Sequence, residues 1–115
     1  MEQYEAERLI AARFLEWRPT KWRHHFTPPN SVAKDVRNTF TQGKDVLLLM
    51  DKMKTKFPVF SISAHEEQDE KGWLITWGGH QRLSHMFHKK VEMALCLAIL
   101  DSLGHWGEEI TPSTD

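Results

Sequence analysis

Val59-Phe-Ser-Ile-Ser-Ala-His65 and Trp73-Leu-Ile-Thr-Trp77 flank a short acidic stretch, Glu66-Glu-Gln-Asp-Glu-Lys-Gly72. In both flanks large apolar residues recur at every second position, which is the side-chain period of a strand. Phe60, Ile62 and Ala64 share one side of the first, and Trp73, Ile75 and Trp77 share one side of the second. The two read as an antiparallel hairpin joined by a long acidic turn that ends in Gly72, with Gly78-Gly79 closing the second strand. A hairpin alone is marginal in water, so its apolar side requires a helical partner.

Two helical stretches supply one. Asp45 to Phe57 places Val46, Met50, Met53 and Phe57 on one face, widened by Leu47 and Leu49, with Thr41 as the expected N-cap. From about His88 to Leu103, Val91, Leu95, Ala98 and Leu103 form a stripe, and Leu97, Ile99 and Leu100 make the segment apolar nearly all round. This is the helix expected to be most buried, with Gly104 as its stop. A third helix is expected from Glu2 to Trp17, through Ala6, Ile10, Phe14 and Trp17; Arg18 before Pro19 ends it. Trp22, His24 and Phe26 alternate with Lys21, Arg23 and His25, which reads as a short strand over 20–26. Residues 31–43 read as a loop, and 80–90 carries three histidines with no clear period. The expectation is an α+β fold: an antiparallel sheet of about three strands packed with helices, α/β/α sandwich-like. It forms one domain spanning 1–115, with its core over 5–104 and a polar tail over 107–115 that frays.

Composition excludes several classes. A net charge of −1 argues against a strongly basic nucleic-acid binder. The single cysteine, Cys96, sits in the apolar run 93–100 and reads as a small core hydrophobe, not a thiolate nucleophile. With no disulfide framework, signal peptide or apolar run near the ~20 residues of a membrane span, the expected compartment is the cytoplasm, with no membrane partner.

No catalytic constellation emerges. Gly78-Gly79 begins neither a Walker nor a dinucleotide-binding pattern. His80, His85 and His88 lack the spacing and the neighbouring carboxylate of a catalytic zinc site. His24 and His25 are adjacent, so on a strand they point to opposite faces. The chain is expected to be no enzyme and to need no cofactor or metal; a metal-dependent enzyme using the His80–His88 cluster is the weakest alternative. Aromatic and basic residues interleave over Trp17-Arg-Pro-Thr-Lys-Trp-Arg-His-His-Phe26, a pattern that suits a protein partner or stacked bases and phosphates. The expected partner or ligand surface therefore comprises Trp17, Trp22, Arg23, His24 and His25, together with His80, Arg82, His85 and His88.

The order of elements resembles the phage ABA-sandwich domain family, small proteins of tailed-phage and prophage genomes. The likeness runs from about Glu5 to Leu103. It is carried by Leu15-Glu-Trp17, by Phe40-Thr-Gln-Gly-Lys-Asp45 opening an amphipathic helix, and by Val91-Glu-Met-Ala-Leu-Cys-Leu-Ala-Ile-Leu-Asp-Ser-Leu103. The sequence departs from the family pattern in its His-rich segment after the hairpin and in lacking a Pro in the last helix's first turn. The resemblance implies α/β/α layering and little about function; for a small phage protein of this kind the expectation is an accessory protein that binds a host protein in the bacterial cytoplasm, as an anti-defence inhibitor. A nucleotide-binding module that sequesters a signal, built as a homo-oligomer, is the alternative.

Overall fold

The computed structural model describes residues 1–105 and 107–114; Trp106, one of the five tryptophans, lies outside them. The class is α+β, as expected: three helices and two antiparallel three-stranded sheets. The first helix, α1 (Gln3–Leu9), continues into a π-helical turn, Ile10–Phe14. A small sheet follows, made of β1 (Arg18–Pro19), β2 (His25–Thr27) and β3 (Lys34–Asp35). A 3-10 turn, Phe40–Gln42, leads to α2 (Val46–Lys56). The larger sheet, in the order β4 (Val59–Glu67), β5 (Glu70–Gly78), β6 (Leu83–His88), precedes α3 (Val91–Ser102). No described helix is long and apolar enough to cross a membrane.

The hairpin is longer than its sequence suggests. β4 and β5 pair one-to-one from Val59↔Gly78 to Glu67↔Glu70, so the expected acidic turn is mostly strand. Only Gln68 and Asp69 turn the chain, both at positive φ (50° and 65°), which is the twist a two-residue hairpin turn needs. The His-rich stretch, unreadable by period, supplies the third strand. Met86 pairs with Ile75 and joins its face, against the core. Because β6 runs to His88, α3 begins at Val91, later than the periodicity implies.

Ile75 and Trp77 are buried, as are Ala94, Leu95, Cys96, Ala98, Ile99 and Leu100 of α3. Trp73 lies on the same face near the hairpin end and stays 38% exposed. Burial of this kind is worth about 1.5–3 kcal/mol for each large side chain. In α2 the buried residues are Leu49 and Met53, while Leu47 points outward at 75% exposure, contrary to its expected place on the apolar face. Thr41 does not cap α2 either; the residue before the helix is Asp45, in a left-handed conformation, and its carboxylate pairs with Lys34 at 2.7 Å.

The first helix ends earlier than Pro19 requires. The Leu15 N–H reaches back to Ile10 O at 2.9 Å and Glu16 takes φ 58°, so the chain leaves the helix before Trp17. The wide turn puts Phe14, Leu15 and Trp17 all into the core. The C-terminal segment does not fray as its polarity suggests. Gln3 N–H donates to Thr111 O and Thr111 N–H to Met1 O, both at 2.8 Å, and Tyr4 N–H donates to the Ser113 hydroxyl.

At the centre lies a carboxyl group. Glu7 is fully buried on the stripe that α1 shares with Ile10 and Phe14. Its two carboxylate oxygens accept the backbone N–H groups of Thr39 and Thr41, the latter at 3.0 Å. Beside it the Gln3 amide donates to Thr41 Oγ1 at 3.0 Å and to Asn38 Oδ1 at 2.8 Å. Burial pushes the Glu7 carboxyl above its usual range, while the N–H donors of Thr41, Thr39 and Phe40 pull it back down. Glu7→Gln removes one acceptor and turns an amide N–H₂ toward a buried N–H. We expect a loss of about 1–3 kcal/mol, read as a lower urea midpoint at unchanged slope.

Candidate functional site

Thr20 decides the geometry of the basic–aromatic stretch. Its hydroxyl oxygen accepts the Trp22 N–H at 3.1 Å, and the hydroxyl donates to His25 O at 3.0 Å. Such side-chain-to-backbone bonds compete with strand pairing. Residues 20–24 therefore form a tight turn between β1 and β2 instead of the expected strand over 20–26. Alternation stops there, and Trp22 stands out at 61% exposure with the Lys21 ammonium 5.2 Å from its ring centre.

Trp17, expected on the same surface, is 5% exposed and packs against Phe40 with ring centres 5.8 Å apart. The Lys34 ammonium sits 4.9 Å from the Trp17 ring and completes its cover. Trp17 thus belongs to the core. Arg23 is exposed in the turn, and His25 is half-buried in β2, opposite Asp35.

His24 is half-buried between the Tyr4 ring, edge-on at 5.5 Å, and Arg8, whose Nη1 donates to His24 Nδ1 at 3.2 Å. A guanidinium only donates, so Nδ1 is the acceptor and the ring proton lies on Nε2. Burial holds the His24 pKa below the usual histidine value, and the positive charges of Arg8, Arg37 and Arg23 lower it further. Arg37 pairs with Asp35 at 2.6 Å. The result is a turn with Lys21 and Arg23 exposed beside Trp22, on a chain whose net charge is −1. At the far end of β1 and β2, an open cleft of about 550 Å³ is lined by Arg18, Pro28, Pro29, Asn30, Ser31 and Val32. Val32 is 81% exposed there.

The second expected cluster belongs to the other sheet. His80 and Arg82 are exposed in the β5–β6 connection. His85 and His88 lie three residues apart on β6 and so point to opposite faces. His85 Nδ1 is 3.0 Å from the Thr76 hydroxyl, and His88 Nδ1 accepts the Lys90 N–H at 3.0 Å. The three histidines are not gathered. Among the described residues no group of three or more His, Cys, Asp or Glu is placed to hold a metal ion.

One cavity escaped the sequence reading. It measures about 240 Å³ and is lined by Gln3, Thr41, Gln42, His88, Lys90, Glu92, Met93, Ile110 and Pro112. Four separated segments meet there, so no local motif signals it. Its volume is below the roughly 300–1,000 Å³ typical of small-molecule and cofactor sites. Cys96 offers no chemistry: it is fully buried, and burial, with Glu7 as the next cause, pushes its thiol well above the usual range.

No family model and no curated protein matches this sequence. Among solved structures, the fold is similar to that of a phage protein from Bacillus cereus ATCC 14579, known from a 2.0 Å crystal structure. The TM-score is 0.66 at 11% identity, over 94% of this chain and 93% of that one. At that identity the likeness is one of fold.

His24 gives a pH test. A histidine whose folded pKa is lowered takes up fewer protons folded than unfolded between the two values. Its contribution to stability is therefore present above the ordinary value near 6.5 and is lost as pH falls below it. NMR titration should place the His24 midpoint below that of a free histidine, and Arg8→Ala should move it upward. A wild-type midpoint at or above the free value contradicts the Arg8–His24 contact.

Proposed function

We propose that this chain is a non-enzymatic accessory protein of a phage or prophage, acting in the bacterial cytoplasm by binding a host protein. The surface that does so is the Thr20–His25 turn with Trp22 at its tip. One observation carries the choice: a large aromatic side chain is 61% exposed on a turn whose backbone is fixed by Thr20, beside Lys21 and Arg23. Trp and Arg are the residues most enriched among interface hot spots, and a pre-ordered turn lowers the entropy cost of association. The surplus of cations calls for an acidic patch on the partner, and complementary charge speeds encounter. The phage setting rests on the likeness of fold and on the resemblance of the sequence to the phage ABA-sandwich domain family. That setting favours an anti-defence inhibitor, which works by covering a host effector.

A nucleotide ligand is the weaker reading. A base would stack on the Trp22 face that Lys21 leaves open, and Trp22 lines neither the cleft at Pro28 and Pro29 nor the cavity at Gln3 and Thr41. The cavity at Gln3 and Thr41 is small for a nucleotide.

The test is affinity capture from a lysate of a defence-bearing host, followed by binding measurements with the purified partner. Trp22→Ala is expected to weaken binding about 30-fold or more, and Arg23→Glu to slow association with a steep salt dependence. Arg82→Glu, on the other sheet, should leave both unchanged. Binding that survives Trp22→Ala and Arg23→Glu together contradicts the assignment. A saturable change in Trp fluorescence with a nucleotide, absent in Trp22→Ala, would transfer the surface to the nucleotide reading.

A further inference from the structure

We propose that β4 is a dimerisation edge that pairs antiparallel with β4 of a second copy, about a two-fold axis at Ser63. In the sheet order β4-β5-β6, β4 has one neighbour, so its other edge presents unpaired backbone N–H and C=O groups. Natural proteins shield such edges with short strands, prolines, lysines or bulges. Within its nine residues β4 has no proline, lysine or bulge, and its charged residues, Glu66 and Glu67, are confined to the hairpin end. It is nine residues long, Val59-Phe-Ser-Ile-Ser-Ala-His-Glu-Glu67, and its one-to-one register with β5 leaves no room for a bulge. The other edge strand, β6, has six residues and passes within three residues into α3.

Charge selects a second copy as the occupant. The hairpin tip carries four carboxylates against Lys71; Glu70 pairs with Lys89 at 2.9 Å, while Glu66, Glu67 and Asp69 make no ion pair among the described residues. The opposite end of β4 follows the last turn of α2, which carries Lys54 and Lys56; Lys56 lies over the Phe14 ring at 4.8 Å, which leaves Lys54 as the cation for a partner. A parallel arrangement would oppose like ends. The antiparallel one sets each copy's acidic tip beside the other copy's Lys54.

Full-length pairing of 59–67 with itself fixes the register. Ser63 faces Ser63 of the second copy, Ile62 faces its Ala64, and Phe60 faces its Glu66. The alternation of faces is preserved. Phe60 and Ile62 lie on the face packed against the core, so the second copy's Glu66 projects on the side where α2 lies. The product is a continuous six-stranded sheet. This pairing is independent of the Trp22 turn, which lies on the other sheet.

Sedimentation velocity and light scattering across a concentration series should show a reversible dimer. Ser63 is exposed, so Ser63→Lys is tolerated by the monomer fold while placing two lysines face to face on the axis. It should raise the dimer dissociation constant about fivefold or more. Lys54→Glu should weaken the dimer, and Lys54→Glu with Glu66→Lys should restore it. Ser63→Cys should form a covalent dimer under mild oxidation, with Ser31→Cys as the control that does not; the native Cys96 is buried and does not compete. A monomer at every concentration overturns the proposal. So does a dimer that ignores Ser63→Lys and gives no Ser63→Cys cross-link. If Ser63→Lys fails to fold, the cross-link decides alone.

Discussion

A buried carboxylate with no cationic partner among the described residues ties α1 to the turn that precedes α2. Glu7 is removed from water on α1, and the donors that compensate it are backbone N–H groups of the 39–41 turn. An isolated buried charge is costly, whereas one that accepts several N–H bonds is tolerated, and the N–H groups in turn need the acceptor. The segment before α2 forms no regular ladder, so its polar backbone is satisfied by a side chain from a distant helix. Gln3 extends the same network to Asn38 and Thr41. This fixes where the chain passes between the small sheet and α2, over a core otherwise made of apolar contacts.

The small sheet depends on that anchor. β3 lies only a few residues before Thr39, and β2 pairs with β3 through His25↔Asp35 and Phe26↔Lys34. Two or three residues per strand cannot stabilise a sheet alone. Phe26, Val36 and Phe40 fasten it to the core, with Trp17 beneath. Above that support the Thr20 bonds shape the turn that lifts Trp22 into solvent. Of the three large aromatics in the stretch, Trp17 and Phe26 go inside and Trp22 outside, where the Thr20 hydroxyl interrupts the strand.

Much of the frame was legible. The alternation in Val59–His65 and Trp73–Trp77 gave the hairpin, and the apolar surround of residues 91–103 gave the most buried helix, because large patterned surfaces admit few arrangements. The errors occurred where local polar chemistry prevails over pattern. Gln68 and Asp69 accept left-handed geometry and let strand replace an expected acidic turn. In β6 the histidines obscure an alternation of which Met86 alone reaches the core. Leu47 was assigned inward because its neighbours are apolar, yet it points out. Of the candidate surface, Trp22 and Arg23 share one exposed turn, whereas Trp17 is in the core, as its place on the first helix's apolar stripe implies. Glu7 carries a signal of its own: it sits at the position before Ile10 and Phe14 on their own stripe, where a solvated carboxylate does not belong.

Native-state hydrogen exchange at the Thr39 and Thr41 amides tests the role of Glu7 most directly. Both lie in irregular backbone, where amides ordinarily exchange by local fluctuation. If Glu7 is the anchor, they should exchange only through global unfolding, as slowly as the central amides of α3 and β5. Exchange of these two amides at the rate of the exposed 28–33 loop would contradict it.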